Sequence, residues 1–180
     1  RVSELVGAVK TYTHMDRARV SEIDVHDGLE STLTLLGHKL RSITVERAYD
    51  HTLPRIPAIA GELNQVWMNL LDNAADALGG HGHIRLSTRR EGNRLAVEIA
   101  DDGPGVPTDL QARVFEAFFT TKPPGQGTGL GLDLVRLAVK RHGGDVRLES
   151  SPGNTHFTVT LPFERTDGSA TVTGQQAPER

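Results

Sequence analysis

The sequence has no cysteine, no long apolar run and no surplus of either charge. The absence of cysteine excludes a disulfide scaffold, thiol chemistry and zinc held by cysteine, and it agrees with a reducing compartment. No stretch reaches the roughly 18 consecutive apolar residues of a membrane helix, and no signal-peptide pattern is present. We therefore expect this fragment to be cytoplasmic without direct membrane contact, whether or not the full-length protein is anchored in a membrane. Lysines and arginines are dispersed, and the net charge of −3 argues against nucleic acid as a partner.

The 180 residues, 37% of them apolar, are enough for one domain with some chain left over. Because the chain opens with Arg1 instead of Met, we expect a fragment of a longer protein. Residues 1–22 carry an apolar helical stripe without a neighbouring partner and are interpreted as a helix end and a linker. Residues 23–164 form the predicted domain. Residues 165–180 are rich in polar residues, glycine and proline without periodicity, which predicts a disordered tail.

Apolar spacing predicts three main helices in the domain. The first runs over 27–41, with Asp27 and Glu30 resembling a capping box. The second and most strongly periodic runs over 62–78, and the third starts at about Thr128 and stops at His142. Alternating strands are predicted at 43–47, 84–88, 95–99, 146–150 and 157–161. Since each strand has one apolar face, we predict a two-layer α/β sandwich, with helices on one side of a mostly antiparallel, mixed sheet.

The 62–78 helix carries two asparagines and an aspartate on the face opposite its apolar stripe: Asn69, Asn73 and Asp76. A solvated face would more readily use glutamate, lysine or glutamine, because asparagine is a mediocre helix former. Carboxamide oxygens are suitable ligands for Mg²⁺ that also contacts phosphate. The pattern therefore indicates a polar site on this helix.

A second motif, Asp101-Asp102-Gly103-Pro104-Gly105, follows directly on a predicted strand. A surface turn would account for the Gly-Pro-Gly part. A carboxylate fixed at a strand end can also accept a hydrogen bond from an exocyclic amine, while glycine lets a flat ring approach the backbone. The motif alone is compatible with both interpretations.

A third motif joins VFEAFFTTK, Val114 to Lys122, to the glycine-rich run GTGLGL, Gly127 to Leu132. Alternate glycines weaken a helix, so a mere loop does not explain why they lead into one. Backbone amides at a helix N-terminus bind phosphate, and glycine permits close approach. Lys122 would add a positive charge. Neither the P-loop nor the dinucleotide fingerprint is present.

Together, in this order, the motifs resemble the ATP-binding catalytic domain of sensor histidine kinases, which belongs to the Bergerat-fold superfamily. The segment ELNQVWMNLLDNAADAL resembles the N box, and the three other segments resemble the G1, F and G2 boxes. The resemblance covers about residues 24–163. It implies the Bergerat ATP-binding fold with ATP and Mg²⁺ as cofactors.

The resemblance implies a role for each matching residue. Asn73 would bind Mg²⁺, and Asp101 rather than Asp102 would bind the adenine amino group. Lys122 and the glycine-rich amides would hold the phosphates, with the loop between them acting as a short lid. The implied nucleotide-binding residues are Asn69, Asn73, Asp101, Gly103, Gly105, Thr121, Lys122, Gly127, Thr128, Gly129, Leu130, Gly131 and Thr155, of which Asn69 and Lys122 are also the catalytic candidates.

Asn69 stands where ATP-hydrolysing members of the superfamily have a general-base glutamate. An amide cannot take up a proton, so the resemblance favours phosphoryl transfer to a protein over hydrolysis of ATP. The implied reaction is in-line transfer of the γ-phosphoryl group, in which positioning and charge neutralisation supply most of the catalysis.

The resemblance also implies partners: the protein's own dimerisation and phosphoacceptor domain, a response regulator receiver domain and, in the full-length protein, a second copy. His14 lacks the acidic, hydrophobic and proline neighbours of a phosphoacceptor, so we expect the acceptor histidine upstream of this fragment. Two alternatives remain. One is an anti-sigma-factor-type serine kinase, which lacks the helical dimerisation hairpin whose end residues 1–22 would form. The other is a nucleotide-binding regulatory module without transfer activity.

Overall fold

The computed structural model describes residues 19–123 and 127–164. The described residues form seven strands and four helices. The strands are β1 (Ser21–Ile23), β2 (Ile43–Ala48), β3 (Ile56–Ala58), β4 (Gly82–Glu91), β5 (Arg94–Asp101), β6 (Asp145–Ser151) and β7 (Asn154–Pro162). The helices are α1 (Val25–Leu35), α2 (Ala60–Leu78), α3 (Thr108–Gln111) and α4 (Gly131–Arg141). Within these ranges no helix combines the length and the apolar character needed to cross a bilayer.

The main sheet has five strands in the order β2-β4-β5-β7-β6. β2 runs parallel to β4, and the other neighbours are antiparallel, which confirms the predicted mixed sheet. The register places Asp101, the last residue of β5, beside Thr155 on β7 and Ile84 on β4. Residues far apart in sequence therefore meet at one end of the central strands.

The sheet is covered by helices on one side, as its alternation predicts. Ile84 and Leu86 of β4 and Val97 and Ile99 of β5 are buried, whereas the residues between them are polar or less buried. One hydrophobic cluster joins this face of the sheet to α1, α2 and α4. The molecule is thus a two-layer α/β sandwich.

Helix α2 occupies the centre of the helical layer. Its apolar stripe is almost completely buried, with Trp67, Leu70 and Leu71 at 0% exposure. The stripe follows the helical period, so the opposite face is left for polar residues. Gly79 ends the helix in the left-handed conformation, at φ 59°.

The first predicted helix differs from α1 at both ends. The N-cap is Asp24 instead of Asp27, because the Asp24 side chain accepts a 2.9 Å hydrogen bond from the His26 amide. Glu30 is not part of a capping box, since its carboxylate binds Arg47 on β2. The helix ends at Leu35, and turns follow it.

One further helix start needs correction, two short strands were not predicted, and three predicted segments lie wholly or partly outside the described residues. Helix α4 begins at Gly131 and not at Thr128, because Gly129 has a φ of 68° that helical backbone does not allow. Strands β1 and β3, which pair with each other, were not predicted. The predicted helix in the first 18 residues, part of the lid and the predicted C-terminal tail lie outside the described ranges.

Candidate functional site

An open cavity of about 1020 Å³ lies between α2, the ends of β5 and β7, and the segments that connect β5 to α4. Eleven of the thirteen predicted nucleotide-binding residues line it: Asn69, Asn73, Asp101, Gly105, Thr121, Lys122, Gly127, Thr128, Gly129, Gly131 and Thr155. The two others, Gly103 and Leu130, are bonded to lining residues, since their amides donate to the side chains of Asp101 and Thr128. Predicted residues as far apart in sequence as Asn69 and Thr155, 86 positions, thus share one concave surface, which is typical of a ligand site.

Asp101 is 7% exposed at the cavity end of β5. Its Oδ1 accepts a hydrogen bond of 3.0 Å from the Gly103 amide. Burial raises the pKa of the Asp101 carboxyl above its ordinary value, and the neighbouring Asp102 charge adds to this effect. Keeping an ionised carboxylate at this buried position beside the cavity therefore costs folding free energy.

The neighbouring Asp102 has a different environment, because successive residues at a strand end point to opposite sides. Its two carboxylate oxygens accept hydrogen bonds from the His83 amide at 2.7 Å and the His83 ring at 2.9 Å. These bonds hold the pKa of Asp102 below its ordinary value. Asp101 lines the cavity and Asp102 does not.

The glycines after Asp101 pack against the β6–β7 hairpin. Gly105 has a φ of 83°, and a Cβ there would lie 2.7 Å from the Ser151 carbonyl oxygen. A Cβ on Gly103 would lie 2.7 Å from Oδ1 of Asp101. The Gly105 position requires glycine for space and for its backbone angle, because the Ser151 backbone cannot give way, whereas a side chain at Gly103 would displace the Asp101 carboxylate.

Hydrogen bonds fix the loop that follows Gly105. The Val106 amide donates to Oγ of Ser150 at 2.8 Å, and this oxygen lies 2.9 Å from Oγ1 of Thr155. The Gln111 side chain donates to the carbonyls of Val106 and Ser150 at 2.9 and 2.8 Å. Thr155, which is 4% exposed, is therefore positioned by the same network that holds the loop. The sequence did not point to Ser150 or Gln111, because two of the bonds that join them to this network span 44 and 39 positions.

Asn69 on α2 connects this helix to the start of α4. Its Nδ2 donates to the Gly131 carbonyl at 3.1 Å, and its Oδ1 accepts from Gln65 at 3.2 Å. A Cβ on Gly131 would come within 3.7 Å of the Asn69 side chain. The first amides of α4, which lack partners within the helix, are thereby held against α2 at the cavity.

Lys122 reaches across the cavity to α2. Its Nζ lies 3.4 Å from Oδ1 of Asn73 and 2.5 Å from Oδ2 of Asp76. Burial alone would raise the pKa of Asp76, but hydrogen bonds from Lys122 and Lys39 hold it below its ordinary value. The cavity therefore has a cationic group and a carboxamide oxygen in contact, on the polar face of α2.

Lys39, which the sequence analysis missed, lines the same end of the cavity. Its Nζ donates to Oδ1 of Asp72 at 2.5 Å and to Oδ1 of Asp76 at 2.8 Å. Burial lowers the pKa of Lys39, but the two carboxylates outweigh this effect and raise it. Asp76 thus lies between two ammonium groups, one on each carboxylate oxygen.

The glycine-rich segment packs directly against the backbone of the F-box segment. The Phe118 amide donates to the Gly129 carbonyl at 2.9 Å, and a Cβ on Gly129 would lie 2.4 Å from the Phe118 carbonyl carbon. Phe118 itself has a φ of 67°, which costs a residue with a side chain about 1 to 2 kcal/mol. The two segments are therefore held together in one strained arrangement.

The residues of the cavity fit a divalent cation only in combination with a ligand. No cluster of three or more histidine or acidic side chains that could hold a metal alone exists within residues 19–123 and 127–164. Asn73 offers a neutral oxygen, and magnesium takes few protein ligands when substrate phosphates and water complete its shell. Such a donor set fits magnesium that arrives with a phosphate-bearing ligand.

This chain is similar to proteins of a known family. The family model described as "Histidine kinase-, DNA gyrase B-, and HSP90-like ATPase" matches residues 59–165. Sensory histidine kinase/phosphatase NtrB of Rhodobacter capsulatus is 35% identical over 176 residues, which cover 90% of this chain and 49% of that protein. NtrB of Azospirillum brasilense is 33% identical, with 100% of this chain and 48% of that protein covered.

The solved structures that are similar include the catalytic domain of histidine kinase ThkA in a nucleotide-free form. The TM-score is 0.74 at 29% identity, over 81% of this chain and 97% of that one. Full-length ShkA in complex with AMPPNP has a TM-score of 0.72 at 30% identity, over 82% of this chain and 32% of that one. The chain spans about half the length of the curated relatives that it matches.

Proposed function

The chain belongs to the family of histidine kinase-, DNA gyrase B- and HSP90-like ATPases, and we propose that it is the catalytic domain of a sensor histidine kinase, binding Mg-ATP for γ-phosphoryl transfer. The acceptor is a histidine on a dimerisation domain, and the phosphoryl group passes on to a response regulator. The observation that carries the proposal is the cavity itself. It holds a buried carboxylate at one end, and a lysine, an asparagine and a glycine-rich helix start at the other.

The end formed by Asp101 and Thr155 fits adenine. A carboxylate whose Oδ1 is held by the Gly103 amide presents an acceptor to an exocyclic amine, which is a donor. Gly105 lines the cavity beside Asp101 with its backbone packed against Ser151, and the Ser150 network holds Thr155 in place. The relative ShkA, which was solved with AMPPNP, supports a nucleotide in this cavity.

The other end fits the phosphates. Lys122 brings a positive charge, and Gly127, Gly129 and Gly131 line the cavity just before and at the N-terminus of α4, where backbone amides bind phosphate. Asn73 would hold Mg²⁺, which neutralises negative charge on the phosphates when it is bound. These groups position the γ-phosphorus for in-line attack. The bond from phosphorus to the bridging oxygen of ADP breaks as a bond to an imidazole nitrogen forms.

Asn69 favours transfer over hydrolysis. Its amide cannot accept a proton from water, and its Nδ2 and Oδ1 already bind Gly131 and Gln65. We interpret Asn69 as a residue that positions the start of α4 against the phosphates. Catalysis by this chain then consists of binding and orientation, while the nucleophile comes from the acceptor domain.

The proposal extends to the full-length protein. In a homodimer the catalytic domain lies beside the acceptor domain. Phosphoryl transfer takes place in the cytoplasm, where ATP is available. The named relatives are sensory histidine kinases, which favours histidine over serine as acceptor. The similarity to these kinases also favours phosphoryl transfer over a regulatory module that only binds nucleotide.

Transfer is tested by mixing this chain with the separately expressed dimerisation domain of the same protein and radiolabelled Mg-ATP. We expect label on the dimerisation domain, in an acid-labile and alkali-stable form that identifies phosphohistidine. Acid-stable label would contradict the histidine assignment and support a serine kinase. Binding of ATP without any transfer would support the regulatory module.

Asn73→Ala tests the magnesium assignment. Calorimetry should show that Mg-ATP binds about 10- to 100-fold more weakly, because a metal ligand is lost, whereas binding of ATP in EDTA should be nearly unchanged. Asn64→Ala is the matched control, since Asn64 is exposed on the same helix and does not line the cavity. An equal loss with and without magnesium would contradict the assignment.

A further inference from the structure

Lys39 is held firmly at the cavity although it belongs to a turn. The turn follows α1, and its backbone is closed by hydrogen bonds from the amides of Lys39 and Leu40 to the Leu36 carbonyl, at 2.8 and 3.0 Å. Leu36 and Leu40 are 5% and 8% exposed and are part of the hydrophobic core. The buried leucines on either side therefore fix the position from which the Lys39 side chain extends.

The Lys39 ammonium group has a donor to spare. Of its three N–H groups, one binds Asp72 and one binds Asp76. The side chain is 35% exposed and lines the cavity, so a further acceptor can reach it there. The Lys122 ammonium group also has one N–H left for a further acceptor, because it contacts Asn73 and Asp76 and lines the cavity.

The charges at this end of the cavity call for a second cation. Among the described residues that line it, the cationic side chains are Lys39 and Lys122. The anionic side chains at this end are Asp72 and Asp76. With Lys122 alone, one ammonium group would face two carboxylates, and the net negative charge would repel a polyphosphate. Lys39 cancels that charge, and it does so within hydrogen-bond distance of both carboxylates.

We propose that Lys39 is a second phosphate-binding residue, which donates to the polyphosphate chain of the nucleotide from the turn after α1. Asp76 positions both lysines, because its two oxygens bind one ammonium group each. The inference rests on the proposed binding of ATP in this cavity. It adds a contact from a part of the chain that none of the four sequence motifs includes.

The test is calorimetry of the whole chain with Mg-ATP and with adenosine. Lys39→Gln should weaken Mg-ATP binding about tenfold, since a charge-assisted hydrogen bond at a partly exposed site is lost. Adenosine should bind as before, because it has no phosphate. Lys39→Arg should recover most of the affinity for Mg-ATP. Lys140→Gln is the matched control, because Lys140 is exposed in the last turn of α4 and does not line the cavity.

Three results would overturn the inference. The first is that Lys39→Gln binds Mg-ATP as tightly as Lys140→Gln does. The second is that Lys39→Gln loses affinity for Mg-ATP and adenosine alike and has a lower Tm, which indicates a structural effect. The third is failure of Lys39→Arg to recover affinity. Failure of the unchanged protein to bind Mg-ATP is a separate outcome. It removes the proposed function, whereas the first three results leave that function standing.

Discussion

Asp101→Asn is expected to abolish adenine recognition without unfolding the domain. The Asp101 carboxylate lines the cavity as an acceptor, whereas the asparagine amide would turn a donor towards the donating amine of adenine once its oxygen binds the Gly103 amide. An unpaired buried donor costs about 2 to 3 kcal/mol, so Kd for Mg-ATP should rise roughly 30- to 150-fold. Calorimetry with Mg-ATP and adenosine measures both losses.

Asp101→Asn should keep or raise the stability of the fold, although it lowers the affinity for Mg-ATP. Burial raises the pKa of Asp101, so the folded protein holds that proton more tightly than the unfolded chain does. Ionisation therefore costs folding free energy. The cost is absent below the pKa of the unfolded chain and fully present above the raised pKa of the folded protein. At neutral pH, Asp101→Asn should keep or raise Tm, and the difference should vanish in acid.

Asp102→Asn is the matched control for Asp101→Asn. It changes the adjacent residue in the same way, but Asp102 binds the exposed His83 and does not line the cavity. Affinity for Mg-ATP should stay within about twofold of the unchanged protein. Equal affinity in all three proteins would remove Asp101 from the adenine site, and an equal loss in both variants would mean that the loop, and not one carboxylate, is responsible.

The parts of the fold that were predictable are those with a repeated local signal. Helix α2 repeats its apolar residues over several turns, and the strands alternate, so periodicity alone indicated the helix and the face it buries. Strands β1 and β3 have three residues each, too few for a period to be visible. Their pairing joins Ser21 to Ala58, which is a long-range contact that the local sequence does not specify.

The errors at helix ends have local and long-range causes. Asp24 and Asp27 are both suitable N-caps, and Glu30 was available for a capping box until Arg47 on β2 bound it. Thr128 precedes the α4 pattern as an N-cap would, but contact with Phe118 holds Gly129 in a left-handed conformation. At α1 a local hydrogen bond makes Asp24 the cap and the ion pair with Arg47 occupies Glu30, whereas at α4 tertiary packing overrides the local pattern.

The candidate site follows the same rule. Asp101, Asn73 and Lys122 lie in segments that resemble the boxes of a nucleotide-binding family, and this resemblance predicts one shared site. All three line the cavity, while their roles towards a nucleotide stay a prediction. Lys39 has no motif around it, and its partner Asp72 is 33 positions away. Only the packing of the turn after α1 against α2 brings it to the cavity. A lysine with this role could not be separated from other surface lysines by sequence alone.

Gly129→Ala is expected to remove most of the affinity for phosphates while leaving adenosine binding intact. Its added Cβ would lie 2.4 Å from the carbonyl carbon and 2.6 Å from the carbonyl oxygen of Phe118, and backbone cannot move aside as a side chain can. The left-handed φ of 68° costs alanine about 1 to 2 kcal/mol more. The two segments must separate, which displaces the amides before α4, so Kd for Mg-ATP should rise about 100-fold.

Gly92→Ala separates this effect from the backbone cost alone. Gly92 has a φ of 60° in the β4–β5 turn, and a Cβ there would meet nothing within 4 Å. Both variants pay the left-handed penalty and should lose Tm, but only Gly129→Ala creates the clash at the cavity. Calorimetry should therefore give unchanged Mg-ATP affinity for Gly92→Ala. If Gly129→Ala also binds Mg-ATP normally, the phosphates do not depend on the contact between Gly129 and Phe118, and the glycine-rich segment serves packing alone.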